Sequence, residues 1–211
     1  MTTRRVSGVA KPAAPRSGEI PQFERFLAEL SARFINLPAA RIDQAIIDAL
    51  RRFVEILGVD RSQLIRFSAD GEEIVVTHSW AVEGVPAVAR KSITETFPWV
   101  LRRVRADVPV VVARLDNLPA EAAVDKATWR RIGVKSNLTM PMKVAGKVEG
   151  VIAFGCLRRA RNWPEYLVER VRVLATIFGN ALAHKRAQEE LDASIDFERT
   201  VSETLAALLT A

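Results

Sequence analysis

The sequence predicts one α+β domain, and three observations lead there. Two pairs of apolar strands are each joined by a short turn, several segments carry the three-and-four apolar spacing of amphipathic helices, and Pro, Gly or Asn breaks separate them. The clearest stretch is Ser136 to Leu157, SNLTMPMKVAGKVEGVIAFGCL. Leu138, Met140 and Met142 alternate with polar or small residues, Ala145-Gly146-Lys147 supplies a turn, and the run to Leu157 is apolar with no charge after Glu149. These features predict a central hairpin buried on at least one face.

Taken in order, Met1 to Gln22 is rich in Pro, Ala, Ser, Gly and Arg and is expected to form a flexible basic tail. Phe23, Phe26, Leu27, Leu30, Phe34 and Ile35 mark one face of a helix that Leu37-Pro38 breaks. A second helix is expected from about Ala40 to Leu57, with Gly58 as its stop. Arg61 to Phe67 and Glu73 to Trp80 read as a hairpin around an Asp70-Gly71 turn, followed by a loop from Val82 to Ile93. Thr94 to Ala106 resumes helical spacing with Thr94 as a possible N-cap, Val108 to Ala113 is a short strand, and Glu121 to Ile132 is a further helix ended by Gly133. Beyond the central hairpin, Asn162 and Pro164 open a long helix carrying Leu167, Val171, Leu174, Phe178, Ala181 and Leu182, which continues past Ala187. The expected division is therefore a tail over 1–22, a domain over 23–184, and an exiting helix or the start of a following module over 185–211. Phe23-Glu24-Arg25 with Glu29 recurs as Phe197-Glu198-Arg199 with Glu203. That echo is either a coincidence between two amphipathic helices or the beginning of a second, similar unit.

Composition narrows the function classes. With 211 residues, 49% of them hydrophobic, the chain can bury one ordinary core. No stretch approaches the roughly 20 uncharged apolar residues of a membrane span, and the N-terminus has no secretory apolar run, so a soluble cytoplasmic protein is expected. One cysteine, Cys156, leaves neither an internal disulfide nor a cysteine metal cluster. Of the formal charge of +6, Arg4, Arg5, Lys11 and Arg16 against Glu19 contribute half. The remaining basic clusters lack interleaved aromatics, so nucleic acid is not the expected partner.

Chemistry-bearing motifs are few. There is no G-x-S-x-G, no phosphate-binding loop and no G-x-G-x-x-G. His78 and His184 stand far apart, each without a second ligand at helical spacing, so no metal site is expected. An axial haem ligand or a satisfied core residue are the two readings of His78, and His184 reads as structural. No catalytic residue is assigned.

The hairpin wording, with LSARFINLP at 30–38, LGVDR at 57–61, FPWVL at 97–101, LDNLPAEAAVDK at 115–126 and the NWPEYLVERVRVLATIFGN helix, resembles a GAF domain along about Phe23 to His184. The likeness is greatest to the kind found in bacterial histidine kinases and related two-component proteins. The resemblance implies an antiparallel sheet of five or six strands with helices on both faces and a pocket beneath the middle helices. It would place Arg66, His78, Trp80, Phe97, Trp99, Trp129 and Met140 on that pocket, although for each residue taken singly plain core is the favoured reading. It also implies a homodimer formed through the terminal helices, at Leu27, Leu30, Leu174, Phe178 and Leu182, and control of an output domain such as a histidine kinase outside this chain. Bilin-binding members attach pigment through a Cys commonly followed by His, which Cys156-Leu157 does not match, so no covalent bilin is expected. The cyclic-nucleotide signature and the several cysteines of the sulfoxide reductases are also missing. The expectation is a regulatory sensor module that binds an unspecified small molecule or dimerises. A stand-alone enzyme acting on a small metabolite is the alternative.

Overall fold

The computed structural model describes residues 19–68, 73–88 and 95–209, with side chains over 21–68, 73–88 and 95–203. Among the described residues, five α-helices and five strands run in the order α1 (Glu19–Ile35), α2 (Ala39–Leu57), β1 (Arg61–Phe67), β2 (Ile74–Ala81), α3 (Pro98–Arg105), β3 (Val110–Val112), α4 (Ala123–Arg131), β4 (Ser136–Val144), β5 (Lys147–Cys156) and α5 (Glu165–Leu209). Residues 1–18 of the expected tail, the Asp70-Gly71 turn and the Thr94 cap lie outside the described residues. Helix α3 begins at Pro98, later than the spacing suggested, because Pro favours the first helical position.

The strands form one antiparallel sheet in the order β2-β1-β5-β4-β3. The β4–β5 hairpin lies at its centre and turns through Ala145 and Gly146, both with positive φ (48° and 84°). Two positive φ values in a two-residue loop match the right-handed twist of the flanking strands.

Strand alternation divides the core into two layers. One face carries Leu64, Leu138, Met140, Met142, Ile152 and Phe154 beneath α1, α2 and α5. The other carries Ile65, Ile74, Val76, Val110, Val112, Val151 and Ala153 beneath α3 and α4. Phe53 anchors the first layer, with its ring 5.4 Å from Phe23, 4.9 Å from Phe26 and 6.2 Å from Phe154.

Helix α5 lies close on β4 because residue 179 is glycine. A Cβ there would come within 1.9 Å of the Lys143 carbonyl oxygen. Its side chains also clip it in place: Gln188 Oε1 accepts the first N–H of α2, at Ala39, at 2.7 Å, and Arg186 makes two hydrogen bonds to Glu149 on β5. The helix passes unbroken through position 184, and past Glu190 its described side chains are exposed. Phe197, the second half of the sequence echo, is one of them, whereas Phe23 is buried.

The residues expected to face a second copy lie in this chain's own core. Leu27, Leu30, Leu174, Phe178 and Leu182 are all buried, and the Phe178 ring meets Phe34 edge-on at 5.8 Å. An amphipathic stripe shows that a helix face is covered without showing by what, and here β4 and the neighbouring helices cover α5 while α2 and α5 cover α1. Among the described residues, no helix is long and apolar enough to cross a membrane.

Candidate functional site: a cavity between the sheet and α3–α4

The second layer is not filled. A cavity of about 270 Å³ lies over the sheet, just below the size range of typical small-molecule sites. Its floor comes from alternate residues of four strands. Arg61, Gln63 and Ile65 stand on β1, Ala153 and Val151 on β5, Asn137 and Thr139 on β4, and Ile74 and Val76 on β2. In the register, Gln63 is opposite Ala153, which is opposite Thr139, so a small residue lies between two polar ones. Thr139 donates its hydroxyl to Asn137 Oδ1 at 2.6 Å.

The roof is held by a device invisible in any local pattern. Asp125 on α4, fully buried, accepts the backbone N–H groups of Trp99 at 3.1 Å and Val100 at 2.9 Å. With Pro98 at the first position, these are the first N–H groups α3 has to offer, so a carboxylate from a neighbouring helix serves as its cap. The clip joins α3 to α4 and sets Phe97 and Trp129 against each other, ring centroids 5.4 Å apart, at the cavity wall. Helix α4 ends where Gly133 takes φ 76° and the Val134 N–H returns to the Trp129 carbonyl.

Of the residues expected on the pocket, the structure brings Phe97 and Trp129 to the cavity. Trp99 packs in the same layer but does not line the cavity. Arg66, His78, Trp80 and Met140 are corrected to the opposite face. The cause on β2 is a bulge: Leu64 pairs with His78 but Ile65 with Val76, so Thr77 is the extra residue. With Ile74 and Val76 facing the cavity, unbroken alternation would take His78 and Trp80 there too, and the bulge turns them toward α2. Met140 follows cavity-facing Thr139 on β4 and is fully buried under the terminal helices.

On that far face, His78 Nδ1 lies 3.0 Å from Thr77 Oγ1 and Nε2 lies 3.4 Å from Asp43 Oδ1. Both ring nitrogens are thus engaged away from the cavity, against the haem-ligand reading. Burial pushes the His78 pKa below its ordinary value, outweighing the pull of Asp43. Glu149 is held below the usual carboxylate range by its hydrogen bond from Arg186. Cys156 is also buried in the first layer, and burial raises its thiol pKa. The cysteine therefore stands on the face opposite the cavity. No group of three metal-ligating side chains gathers among the described residues.

The GAF domain family profile matches residues 41–182, spanning both layers and the cavity. The chain belongs to the GAF family. Solved GAF domains share its architecture. The blue-light-absorbing form of the PixJ GAF domain of Thermosynechococcus elongatus superposes with a TM-score of 0.63 at 20% identity, covering 77% of this chain and 98% of that one. The phycocyanobilin-bound GAF domain of a cyanobacterial phytochrome gives 0.67 at 15% identity, covering 79% and 96%. The photosensory core module of the Stigmatella aurantiaca phytochrome gives 0.70 at 16%, covering 90% of this chain and 42% of that one. At these identities the likeness establishes the fold alone. No curated protein sequence matches the chain.

The residues that sequence reasoning missed are Arg61, Gln63, Asn137, Thr139 and Asp125. The first four did leave a signal, since polar residues at alternate positions within apolar strands define a face. That signal is the same one a solvent-facing row would give.

Proposed function

We propose that this GAF domain is a regulatory sensor module whose cavity binds a small molecule. The observation that carries this reading is the apolar cavity with a few convergent polar groups on a rigid sheet floor. Occupancy would bias the position of the clipped α3–α4 roof and, through the sheet, the seating of α5, which leads away toward an output domain such as a histidine kinase. Dimerisation belongs to the same proposal, through the exposed part of α5 that carries Leu191, Ile195, Phe197 and Val201. Binding is favoured over catalysis because the lining contributed by the described residues contains no carboxylate, histidine or cysteine to move a proton or form a bond.

Native mass spectrometry of freshly purified protein, set against its denatured mass, tests the reading. A bound mass should be present in the wild type and absent from Ala153→Leu, which fills the centre of the floor. An adduct that survives in the filled variant, or a wild type that carries none and is stabilised by no member of a metabolite panel, would overturn it.

A further inference from the structure

Arg61 is the cavity residue that the fold itself does not explain. It opens β1, is only 6% exposed, and lines the cavity beside Gln63. Its Nε has no hydrogen-bond partner among the described residues, and Nη1 makes only a long 3.5 Å contact to the Pro86 carbonyl. A guanidinium has five N–H donors and stays protonated in proteins. Its chain neighbour Asp60 is committed elsewhere, accepting the N–H groups of Leu157 and Arg158. Residues 89–95, which join the cavity residues Val88 and Thr96 along the chain, read ARKSITE, and their one acidic residue, Glu95, is exposed. Burial lowers the Arg61 pKa with no acidic neighbour opposing the shift. The domain thus buries a positive charge for which the described residues supply no counterion, an arrangement that costs stability unless a partner arrives.

Building on the sensor reading, we propose that the cavity takes a small monocarboxylic acid with an apolar body, and that Arg61 anchors the carboxylate. The planar guanidinium fork matches a carboxylate bidentately. Phe97, Trp129, Ile65, Val76 and Val151 offer the remainder of the molecule an apolar bed. A single buried guanidinium balances a single negative charge. A phosphate dianion would need more, and the other arginine lining the cavity among the described residues, Arg131, is exposed.

The test is calorimetric titration and thermal melting of the whole chain with phenylacetate, 4-methylpentanoate, uncharged phenylacetamide and phenyl phosphate, on wild type and Arg61→Met. Both acids should bind the wild type and raise its melting temperature, whereas phenylacetamide and phenyl phosphate should bind more weakly. Arg61→Met should weaken acid binding by roughly tenfold to a hundredfold while melting cooperatively and, without ligand, no lower than wild type. Equal binding of acid and amide, undiminished in Arg61→Met, would overturn the anchor and leave the ligand cavity standing. Preference for phenyl phosphate would overturn the monocarboxylate assignment. Failure of every probe on wild type, with Arg61→Met melting lower, would make Arg61 a structural residue and remove the inference along with its support for a ligand cavity.

Discussion

Replacing Asp125 with alanine isolates the roof of the cavity from the rest of the fold. The carboxylate is fully buried and accepts two N–H groups at 3.1 and 2.9 Å. Each hydrogen bond to a charged group is worth about 1.5–3 kcal/mol, and the variant leaves both donors of α3 without an acceptor. Removing the desolvated carboxylate returns part of that, so the net loss should be about 3 kcal/mol, above the 0.5–2 kcal/mol of an ordinary cap. At roughly 2–4 °C per kcal/mol for a chain of this size, the melting temperature should fall by about 6–12 °C. Urea denaturation should show a lower midpoint at unchanged slope. Asp125→Asn, which keeps one acceptor oxygen, should lie between alanine and wild type. Hydrogen exchange should accelerate over 98–105 and 123–131 more than over β4 and β5. An alanine variant within about 0.5 kcal/mol of wild type would refute the clip.

Gly179→Ala should destabilise by about 3 kcal/mol or more, since its methyl meets the backbone of β4 rather than a movable side chain, and a normal urea midpoint would sink that account of how α5 is seated. Ala145→Asn should stabilise by about 0.5–1 kcal/mol, because the turn needs φ > 0 where alanine is strained and asparagine is not; a lower midpoint would contradict it. His78 has a folded pKa below its unfolded value of about 6.5, so as pH falls below about 6.5 the unfolded chain takes up the proton first and stability drops. The loss between pH 7.5 and 5.5 should shrink in His78→Gln, and an equal loss in both proteins would rule His78 out as its source. Leu191→Glu with Ile195→Glu should turn a dimer into a monomer in analytical ultracentrifugation at unchanged melting temperature, whereas Phe178→Asp should unfold the domain; a sedimentation coefficient unmoved by the paired change would exclude that surface.

The sequence by itself determined which segments are helices and strands, because apolar period depends on local backbone geometry and survives without knowledge of the neighbours. The central hairpin, the stripes of α1, α2 and α5, and the terminating glycines at 58 and 133 were legible for that reason. Which layer each face joins was decided only in three dimensions. The bulge at Thr77 reverses His78 and Trp80 and depends on pairing with Leu64, a partner thirteen or more positions away in the chain. The row of Arg61, Gln63, Asn137 and Thr139 reads as a wetted sheet face until α3 and α4 close over it. Asp125 is one polar residue on a short helix until Trp99 and Val100 present their N–H groups to it. Alternation tells which residues share a side, and only the assembled layers tell whether that side meets water, core or a cavity waiting for a ligand.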